Sequence, residues 1–420
     1  MIKTDMKNDR VVIMGGGVIG LCTAYHALRK GFDVTLLERG PEGGDNCSVG
    51  NAGMIVPSHF IPLAAPGMVA KGLRWMFNPR SPFYIHMRLD PQLIRWCLLF
   101  LRHANARHVE SSAGLLRDIS LESRRLFVEM TGEEDFGLVR KGLLMLCKTT
   151  KGLEEEAEVA EAARRIGILA DVLDAAQAAA LDPGIEMDIA GAVHFPQDCH
   201  LDPLRFLRSV RSRVLSMGGR IIHGVEVDQF ETSGGKVVAV SGGGQRFDGG
   251  RFVLCGGAST ARLLAKTGVR VPLQPGKGYS MTLDNPPLLP EICSILCEAK
   301  VAVTPMDGRL RIGGTMEVGS MDLRVNPSRV RGIVESVSKY FPSIRPEAFE
   351  GVERWVGLRP VTPDGIPYLG VAPHLSNLFV STGHGMMGLS LGPVSGKLMA
   401  DLLAGDLPFR DIGGMVVGRF

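Results

Sequence analysis

The chain is predicted to be an α/β protein in which a domain with a parallel sheet is interleaved with a mixed-sheet α+β domain. Segments that alternate between strand and helix patterns occur at both chain ends and in the middle. The stretches between them mix helix and strand patterns, and glycine turns follow several predicted strands. The expected boundaries are residues 1–60, 200–265 and 360–420 for the first domain and residues 61–199 and 266–359 for the second.

The composition limits the class of protein. A length of 420 residues corresponds to two or three domains, and 45% hydrophobic residues allow a large core. The net charge is only +3 and no long basic run is present, so we expect no nucleic-acid partner. Eight cysteines occur without a CxxC pair or zinc-ligand spacing, which predicts free thiols and no metal site. With no signal peptide and no long apolar run, a cytoplasmic protein is expected.

The chain begins with a strand, a helix and a second strand. Residues 10–14 and 33–38 are rich in apolar and β-branched side chains and are predicted to be strands. Residues 17–31 carry apolar side chains at helical spacing and end at a glycine, which is typical of a helix C-terminus. Together the three segments predict one β–α–β unit.

A glycine motif connects the first strand to the helix. Residues 15–20, Gly-Gly-Gly-Val-Ile-Gly, fit the pattern G-x-G-x-x-G of Rossmann-type dinucleotide-binding domains. Gly15 permits the tight turn, Gly17 lets the backbone approach a pyrophosphate, and Gly20 lets the helix pack closely on the sheet. Glu38 ends the next strand at the distance expected for an acidic residue that binds ribose hydroxyls. These features together predict a bound dinucleotide.

The remaining elements continue the mixed pattern, with a Gly234-Gly235 turn joining two strands as a hairpin. Further helices are predicted at residues 91–107, 113–131, 151–167, 203–217, 327–340 and 385–403. Further strands are predicted at residues 143–147, 191–195, 220–223, 225–230, 236–241, 252–255, 271–283, 301–304, 310–314 and 378–382.

Three later glycine turns indicate which dinucleotide binds. Residues 47–53 form a small-residue turn that suits a backbone passing close to a long, extended cofactor. Gly256 follows another predicted strand, and residues 383–388 follow a third, where the last helix is expected to begin. The N-terminus of that helix would stabilise the negative charge of a reduced flavin. The pattern therefore favours FAD over NAD.

Arg359 is the main candidate for substrate binding. It lies in residues 357–365, which we predict to be a loop stiffened by two prolines. A rigidly held guanidinium suits two-point recognition of a carboxylate. A structural ion pair is the alternative role for this arginine.

On these residues the chain resembles the D-amino-acid oxidase-like family of FAD enzymes, and within it the bacterial D-amino-acid and D-hydroxyproline dehydrogenases. The resemblance spans nearly the whole chain. The proline-rich insertion at residues 57–100 is also typical of the dehydrogenase branch. The matching segments are residues 11–20 with Glu38, 48–53, 197–203, 273–279, 357–365 and 381–388.

The resemblance implies FAD-dependent oxidative deamination of a D-amino acid. The α-hydrogen would leave as a hydride to flavin N5, so no catalytic acid or base is assigned. Arg359 would bind the substrate carboxylate, with Tyr279 and His384 as further candidates for the substrate pocket. FAD would be non-covalent, because residues 356–359 lack the cysteine that attaches it in some relatives. The expected FAD-binding residues are Gly15, Gly17, Val18, Ile19, Gly20, Glu38, Arg39, Ser48, Asn51, Ala52, Gly53, Val227, Gly256, Gly383, Gly385, Met386 and Gly388.

The electron acceptor and the substrate remain open at this point. The insertion either contacts a membrane, placing the protein on the inner face of the cell membrane with a quinone or another carrier as acceptor, or only covers the substrate site. Its relevant side chains are Trp75, Phe77, Phe83 and Tyr84 with Lys71, Arg74 and Arg80. Alternative functions are a cis-4-hydroxy-D-proline or D-proline dehydrogenase, an oxidase of the glycine or sarcosine type that uses O2, an assembly subunit of a larger dehydrogenase, and an NAD-dependent dehydrogenase.

Overall fold

A computed structural model describes residues 9–44, 46–76, 78 and 80–420. In this part of the chain no helix is long and apolar enough to cross a membrane. The helices are α1 (Val18–Arg29), α2 (Met68–Met76), α3 (Pro91–His103), α4 (Ala106–Thr131), α5 (Thr150–Arg165), α6 (Ala175–Leu181), α7 (Pro203–Ser216), α8 (Thr260–Ala265), α9 (Pro327–Tyr340) and α10 (Gly392–Ala404). The strands are β1 (Arg10–Met14), β2 (Asp33–Glu38), β3 (Met54–Ile55), β4 (Phe83–Ile85), β5 (Leu143–Cys147), β6 (Asp171–Asp174), β7 (Gly191–Phe195), β8 (Cys199–His200), β9 (Arg220–His223), β10 (Val227–Ser233), β11 (Lys236–Gly242), β12 (Gln245–Asp248), β13 (Arg251–Leu254), β14 (Gln274–Leu283), β15 (Cys293–Leu296), β16 (Val301–Met306), β17 (Arg309–Val318), β18 (Trp355–Val361), β19 (Tyr368–Val371) and β20 (Leu378–Thr382).

The first sheet has the strand order β19-β20-β13-β1-β2-β9. All neighbouring strands are parallel except β19, which runs antiparallel to β20. Both faces are buried: Val11 and Ile13 pack with α1, α7 and α10, whereas Val12 and Met14 pack on the opposite side. Parallel strands covered on both faces carry continuous apolar runs, which is why β1 was recognisable from sequence.

A small antiparallel sheet of β10, β11 and β12 packs on the second face of this sheet. The predicted hairpin is confirmed, with Ser233 paired to Lys236 across Gly234 and Gly235. Both glycines have positive φ, +56° and +72°, as tight hairpin turns require.

The second large sheet is mixed and has the order β18-β14-β17-β16-β15-β5-β7-β6, with β4 added beside β17. One face packs against α9, where Met281 and Ile312 meet Ile333. The neighbouring residues along the same strands, Ser280 and Arg311, point to the opposite face of the sheet. There the Ser280 hydroxyl donates a hydrogen bond to the Gly50 carbonyl at 3.0 Å. Arg311 donates to two carbonyls of the same turn, those of Val49 (2.7 Å) and Asn51 (2.8 Å). The glycine turn at residues 47–53 therefore lies between the two sheets.

One local prediction is wrong at Arg359. Residues 355–361 form strand β18 rather than a loop, although Pro360 lies within them. The strand is at the edge of its sheet, and Pro360 pairs with Pro275 of β14. An edge position tolerates proline because one side of the strand needs no ladder hydrogen bonds.

A second prediction is wrong at the C-terminus. The last helix begins at Gly392 and not at Gly385, because residues 385–387 form only a short 3-10 turn. Pro393 lies in the first turn of α10, where its missing N–H needs no partner, and it disfavours a helix that starts earlier. The expected helix N-terminus directly after Gly383 is therefore absent from this position.

Candidate active site

The glycine turn between β1 and α1 is shaped by close backbone approach. Gly15 has a φ of +113°, and a Cβ there would overlap the Cys255 carbonyl of the neighbouring strand end. A Cβ at Gly20 would overlap the Gly15 carbonyl. Gly256 follows directly after Cys255, so the structure brings it beside Gly15. No acidic side chain occupies the first turn of α1, which leaves its N-terminus suited to an anion.

Glu38 lies against this turn at the end of β2. Its carboxylate accepts hydrogen bonds from the backbone N–H groups of Gly16 (2.6 Å) and Gly40 (2.7 Å). The Glu38 carbonyl accepts from Val225 N at 3.0 Å, two residues before the buried Val227. The structure thus brings Val227 close to Glu38, while Arg39 is exposed.

The turn at residues 47–53 crosses the N-terminus of α1. Val18 N donates to the Ser48 hydroxyl at 3.0 Å, and the side chain of Asn51 accepts from Gly53 N at 2.9 Å. Gly53 has a φ of +77° and fits tightly against the Leu201 carbonyl. The hydrogen bond between Val18 and Ser48 joins this turn to the N-terminus of α1. The predicted FAD-binding residues of the two segments, which include Ala52 and Ile19, therefore lie side by side.

The C-terminal turn closes the other end of the site. Gly383 has a φ of +82° and packs against the Thr362 methyl group, and Gly385 has a φ of +54°. The His384 ring lies 2.9 Å from the Ser395 hydroxyl of α10, and burial lowers its pKa to about 3. His384 is therefore neutral and fastens the turn to α10, while Met386 is exposed.

Several buried polar atoms have no hydrogen-bond partner in the part of the chain that the structure describes. They include Thr362 Oγ1, Ser381 Oγ, His384 Nδ1 and Trp355 Nε1. The first three of these atoms flank Gly383. A buried hydrogen-bond donor or acceptor that is left unpaired costs about 1–3 kcal/mol of stability. A polar ligand between the two sheets would pair with such atoms. Together with the glycine turns, these atoms fit a dinucleotide cofactor of the kind that the sequence predicts.

Arg359 lies on β18 with its side chain over Gly278 of β14. A Cβ at Gly278 would overlap the guanidinium, so only glycine leaves room for it. The guanidinium donates one hydrogen bond to the Thr315 carbonyl, at 2.6 Å, and burial lowers its pKa. Cys47 lies close enough to act on that pKa. No carboxylate of the described residues lies within ion-pair distance of Arg359.

Thr315 owes its position to an irregularity in the sheet. The register between β14 and β17 shifts between Lys277 and Tyr279, opposite Thr315. Thr315 has a φ of +68°, which is strained for a β-branched residue. Bulges of this kind re-aim groups beside functional sites. Here the bulge turns the Thr315 carbonyl toward Arg359.

Tyr279 is not brought to the Arg359 face of the sheet. It is buried among the side chains that pack on α9, and its hydroxyl hydrogen-bonds the Glu317 carboxylate. Its place in the core follows from strand alternation, because Gly278 and Arg359 occupy the opposite face.

The sequence did not indicate Gly278, Thr315, Ser381 or Trp355 as site residues. Trp355 packs on Gly50 and Gly357, so that neither position tolerates a Cβ. Glycines at 50, 278 and 357 were the available signal. Their meaning depends on which side chains the sheet register places over them.

The comparisons with known proteins agree with this geometry. The family described as "DAO: FAD dependent oxidoreductase" matches residues 10–402. A D-amino acid dehydrogenase of Granulibacter bethesdensis is 32% identical, with 98% of this chain and 99% of the relative covered. One from Rhizorhabdus wittichii is 31% identical over 98% and 100% of the two chains. The crystal structure of glycine oxidase from Geobacillus kaustophilus is 26% identical with a TM-score of 0.77, covering 98% and 99%. These findings confirm the predicted fold class and the family resemblance.

Proposed function

The chain belongs to the DAO family of FAD-dependent oxidoreductases, and from this premise we propose that it is a dehydrogenase that oxidises D-amino acids. The cofactor is FAD. The substrate class is suggested by the names of the two curated relatives, which cover nearly the full length of this chain. The expected products are a 2-oxo acid and ammonia, or a cyclic imine from a cyclic secondary amine.

One observation carries the proposal: the partly buried guanidinium of Arg359 has no carboxylate partner among the described residues. Arg359 has five N–H donors, and a single hydrogen bond to the Thr315 carbonyl leaves the others available. An unpaired buried charge is unfavourable, so an anionic ligand would stabilise this arrangement. The carboxylate of an amino acid matches the planar fork of the guanidinium.

In the proposed mechanism the protein binds and orients the substrate rather than transferring a proton. Arg359 holds the carboxylate, and Gly278 and Thr315 hold Arg359. Trp96, Met316 and Val361 pack as an apolar cluster near this position, where they would exclude water. FAD, when bound, supplies the acceptor for the hydride that leaves Cα. His384 is neutral and bonded to Ser395, so it is not proposed as a base.

The remaining sequence predictions on the site stay part of this proposal. We keep the predicted FAD-binding residues and the expectation that FAD is bound non-covalently. One correction applies: α10 begins at Gly392 and contributes no helix N-terminus at Gly385. We also keep the predicted domain boundaries. His384 is proposed to position the turn at residues 383–388, and Tyr279 is not retained in the substrate pocket.

The electron acceptor is proposed to be a quinone or a protein carrier. An O2-dependent oxidase is the second candidate, because the solved glycine oxidase shares the fold at 26% identity. A D-proline or hydroxy-D-proline substrate remains within the proposed class.

The experiment is dye-linked turnover of the purified holoenzyme on D-amino acids, L-amino acids, D-prolines and N-methylglycine, with peroxide measured in parallel. We expect turnover of D-enantiomers with dye and little peroxide. Turnover restricted to L-enantiomers or glycine would overturn the D-amino-acid assignment. Peroxide equal to the substrate consumed would replace the dehydrogenase by an oxidase.

A further inference from the structure

We propose that Tyr279, Glu317 and Arg329 position the guanidinium of Arg359 and so determine how tightly the enzyme binds a substrate carboxylate. These three residues, which we call the bulge network, lie beside the bulge between β14 and β17. The inference rests on the proposed function, because it takes Arg359 to be the residue that binds the carboxylate. The bulge network would act through Thr315, so its members are positioning residues and not catalytic ones.

The bulge network is a buried group of charged and polar side chains that the proposed mechanism does not use. The Tyr279 hydroxyl donates a hydrogen bond to one oxygen of the Glu317 carboxylate and accepts one from Asn326 N at 3.3 Å. The second carboxylate oxygen lies 3.9 Å from Arg329 Nε and 3.3 Å from the His86 ring. Glu317 therefore has a neighbour at each oxygen, and Arg329 balances its charge.

The hydrogen bond between Tyr279 and Glu317 spans the bulge. Tyr279 of β14 and Glu317 of β17 belong to the paired positions on either side of it. Between those positions β14 has a single residue, Gly278, whereas β17 has two, Thr315 and Met316. The hydrogen bond thus links the two strands across the irregularity and limits how far the extra residue of β17 can shift.

The bulge is held from one face of the sheet and used on the other. Tyr279 packs among the apolar side chains that face α9. On the opposite face the Arg359 guanidinium lies over Gly278 and donates to the Thr315 carbonyl at 2.6 Å. A shift of Thr315 would therefore move the acceptor that orients Arg359.

Thr315 needs such a restraint. Its φ of +68° is unfavourable for a β-branched residue, and a conformation of this kind persists only where the surroundings impose it. Strand β4 supplies one restraint, because Met316 N donates to the Pro82 carbonyl at 2.7 Å. The bond from the Tyr279 hydroxyl to the Glu317 carboxylate supplies another, and hydrogen bonds to an ionised group are among the stronger ones in proteins.

The Tyr279 hydroxyl is held in its protonated, donating form. Burial, and after it the neighbouring Glu317 carboxylate, raises the pKa of Tyr279 above its ordinary value. Burial lowers the pKa of Arg329, but a guanidinium keeps its charge in proteins. The bulge network should therefore act on Arg359 in the same way across the neutral pH range.

The insertion covers the bulge network from outside. Arg329 donates to the carbonyl and to the hydroxyl of Ser81, the latter at 3.0 Å. Its guanidinium carbon lies 5.2 Å from the centre of the Tyr84 ring. Of the aromatic side chains that the sequence offered for a membrane surface, three are partly buried: Trp75, Phe83 and Tyr84. Phe77 lies outside the described residues.

A second tyrosine–glutamate pair provides a matched control. Tyr340, the last residue of α9, is also buried, and its hydroxyl hydrogen-bonds the Glu298 carboxylate. Neither Tyr340 nor Glu298 belongs to β14 or β17. Loss of the Tyr340 hydroxyl should therefore cost stability, as loss of the Tyr279 hydroxyl does, without moving Thr315.

The test measures how tightly the full-length holoenzyme binds propionate, which has the carboxylate and carbon chain of alanine but no amine. Propionamide, which lacks the charged carboxylate, is the comparison ligand. Both are titrated by flavin absorbance against the wild type and the variants Tyr279→Phe, Glu317→Gln, Tyr340→Phe and Arg359→Ala. The Arg359→Ala variant defines complete loss of the carboxylate contact.

We expect Tyr279→Phe to raise the propionate dissociation constant about tenfold and to leave that of propionamide unchanged. Glu317→Gln keeps an acceptor for the Tyr279 hydroxyl and should raise the propionate dissociation constant less, about threefold. Tyr340→Phe should match the wild type with both ligands. In turnover, the KM of D-alanine should rise about tenfold in Tyr279→Phe with little change in kcat.

Equal propionate dissociation constants in Tyr279→Phe and Tyr340→Phe would overturn the positioning role, as would an equal rise for propionamide. If Tyr279→Phe does not retain FAD, Glu317→Gln decides, and wild-type propionate affinity in that variant overturns the proposal. Propionate binding requires no turnover, so the two proposals can fail separately. Wild-type affinity in Arg359→Ala would contradict the proposed function of Arg359. Weak binding there with unchanged binding in Tyr279→Phe would contradict the positioning role alone.

Discussion

The two ends of the candidate site are built in different ways. The dinucleotide end uses backbone atoms of one short stretch, residues 15–38, where Gly15, Gly20 and Glu38 determine the shape. The substrate end is assembled where three strands meet, at Gly278, Thr315 and Arg359. The dinucleotide end depends on the conformation of this stretch and on its contact with Cys255 at the end of β13, whereas the substrate end depends on the register between three strands distant in sequence. Mutations at the two ends should therefore separate cofactor binding from substrate binding.

The largest effect is expected at Arg359. Arg359→Ala removes two charge-assisted hydrogen bonds to the proposed substrate carboxylate, together about 4 kcal/mol, so kcat/KM should fall about a thousandfold. FAD content should remain that of the wild type, because the dinucleotide end is untouched. Steady-state kinetics with flavin absorbance measures both. Loss of FAD from this variant would show that the two ends are not separable.

The next effect concerns stability and arises from a buried carboxylate outside both ends. Asp198 is fully buried, and its carboxylate accepts hydrogen bonds from the backbone N–H (3.1 Å) and the hydroxyl (2.5 Å) of Ser58. Burial raises the Asp198 pKa to about 7, against the opposing effect of those hydrogen bonds. The unfolded chain releases this proton near pH 4 and the folded chain only near 7, so stability falls as pH rises between them.

Asp198→Asn should remove that pH dependence while keeping a hydrogen-bonding side chain. The variant should be more stable than the wild type at about pH 8, by up to about 4 kcal/mol, and no more stable at about pH 4. Urea unfolding at both pH values measures the difference. A stability gap of the same size at both values would contradict the raised pKa.

A third prediction breaks the dinucleotide end alone. Gly15→Ala combines a positive φ with overlap on the Cys255 carbonyl, so FAD affinity should fall about a hundredfold. Gly43→Ala is the matched control, because its φ of +69° is also positive but no atom lies within 4 Å of its Cβ. Titration of the apoprotein with FAD gives both affinities. Similar losses of FAD affinity in the two variants would mean that the strain of a positive φ, and not the close approach to the Cys255 carbonyl, weakens FAD binding.

The smallest effect should come from Gly278. A methyl group at this position displaces the Arg359 guanidinium without removing it, so KM should rise about tenfold to a hundredfold. Gly313→Ala on the neighbouring strand β17 is the control, since its Cβ would meet Tyr279 and Ser280 and not Arg359. Equal KM values for the two variants would argue that Gly278 has no specific role toward Arg359.

The difference between the ends also explains what the sequence could predict. Strands β1 and β2, the glycine motif and Glu38 depend on contiguous residues, and each was predicted in place. The sequence predicts Arg359 as a substrate-binding residue but places it in a loop because of the nearby prolines. Pro360 is compatible with a strand only because β18 lies at the edge of its sheet, which the sequence does not reveal. Thr315 carried no signal, because its bulge exists only when β14 and β17 pair.

The most direct test of the account compares a D-amino acid with its amide, which lacks the carboxylate. The measurement is the rate of flavin bleaching under anaerobic conditions for D-alanine and D-alaninamide, in the wild type and in Arg359→Ala. We predict that the wild type prefers the acid by about a hundredfold or more and that the variant has almost no preference. A variant that keeps the wild-type preference would contradict the assignment of Arg359 to the substrate carboxylate.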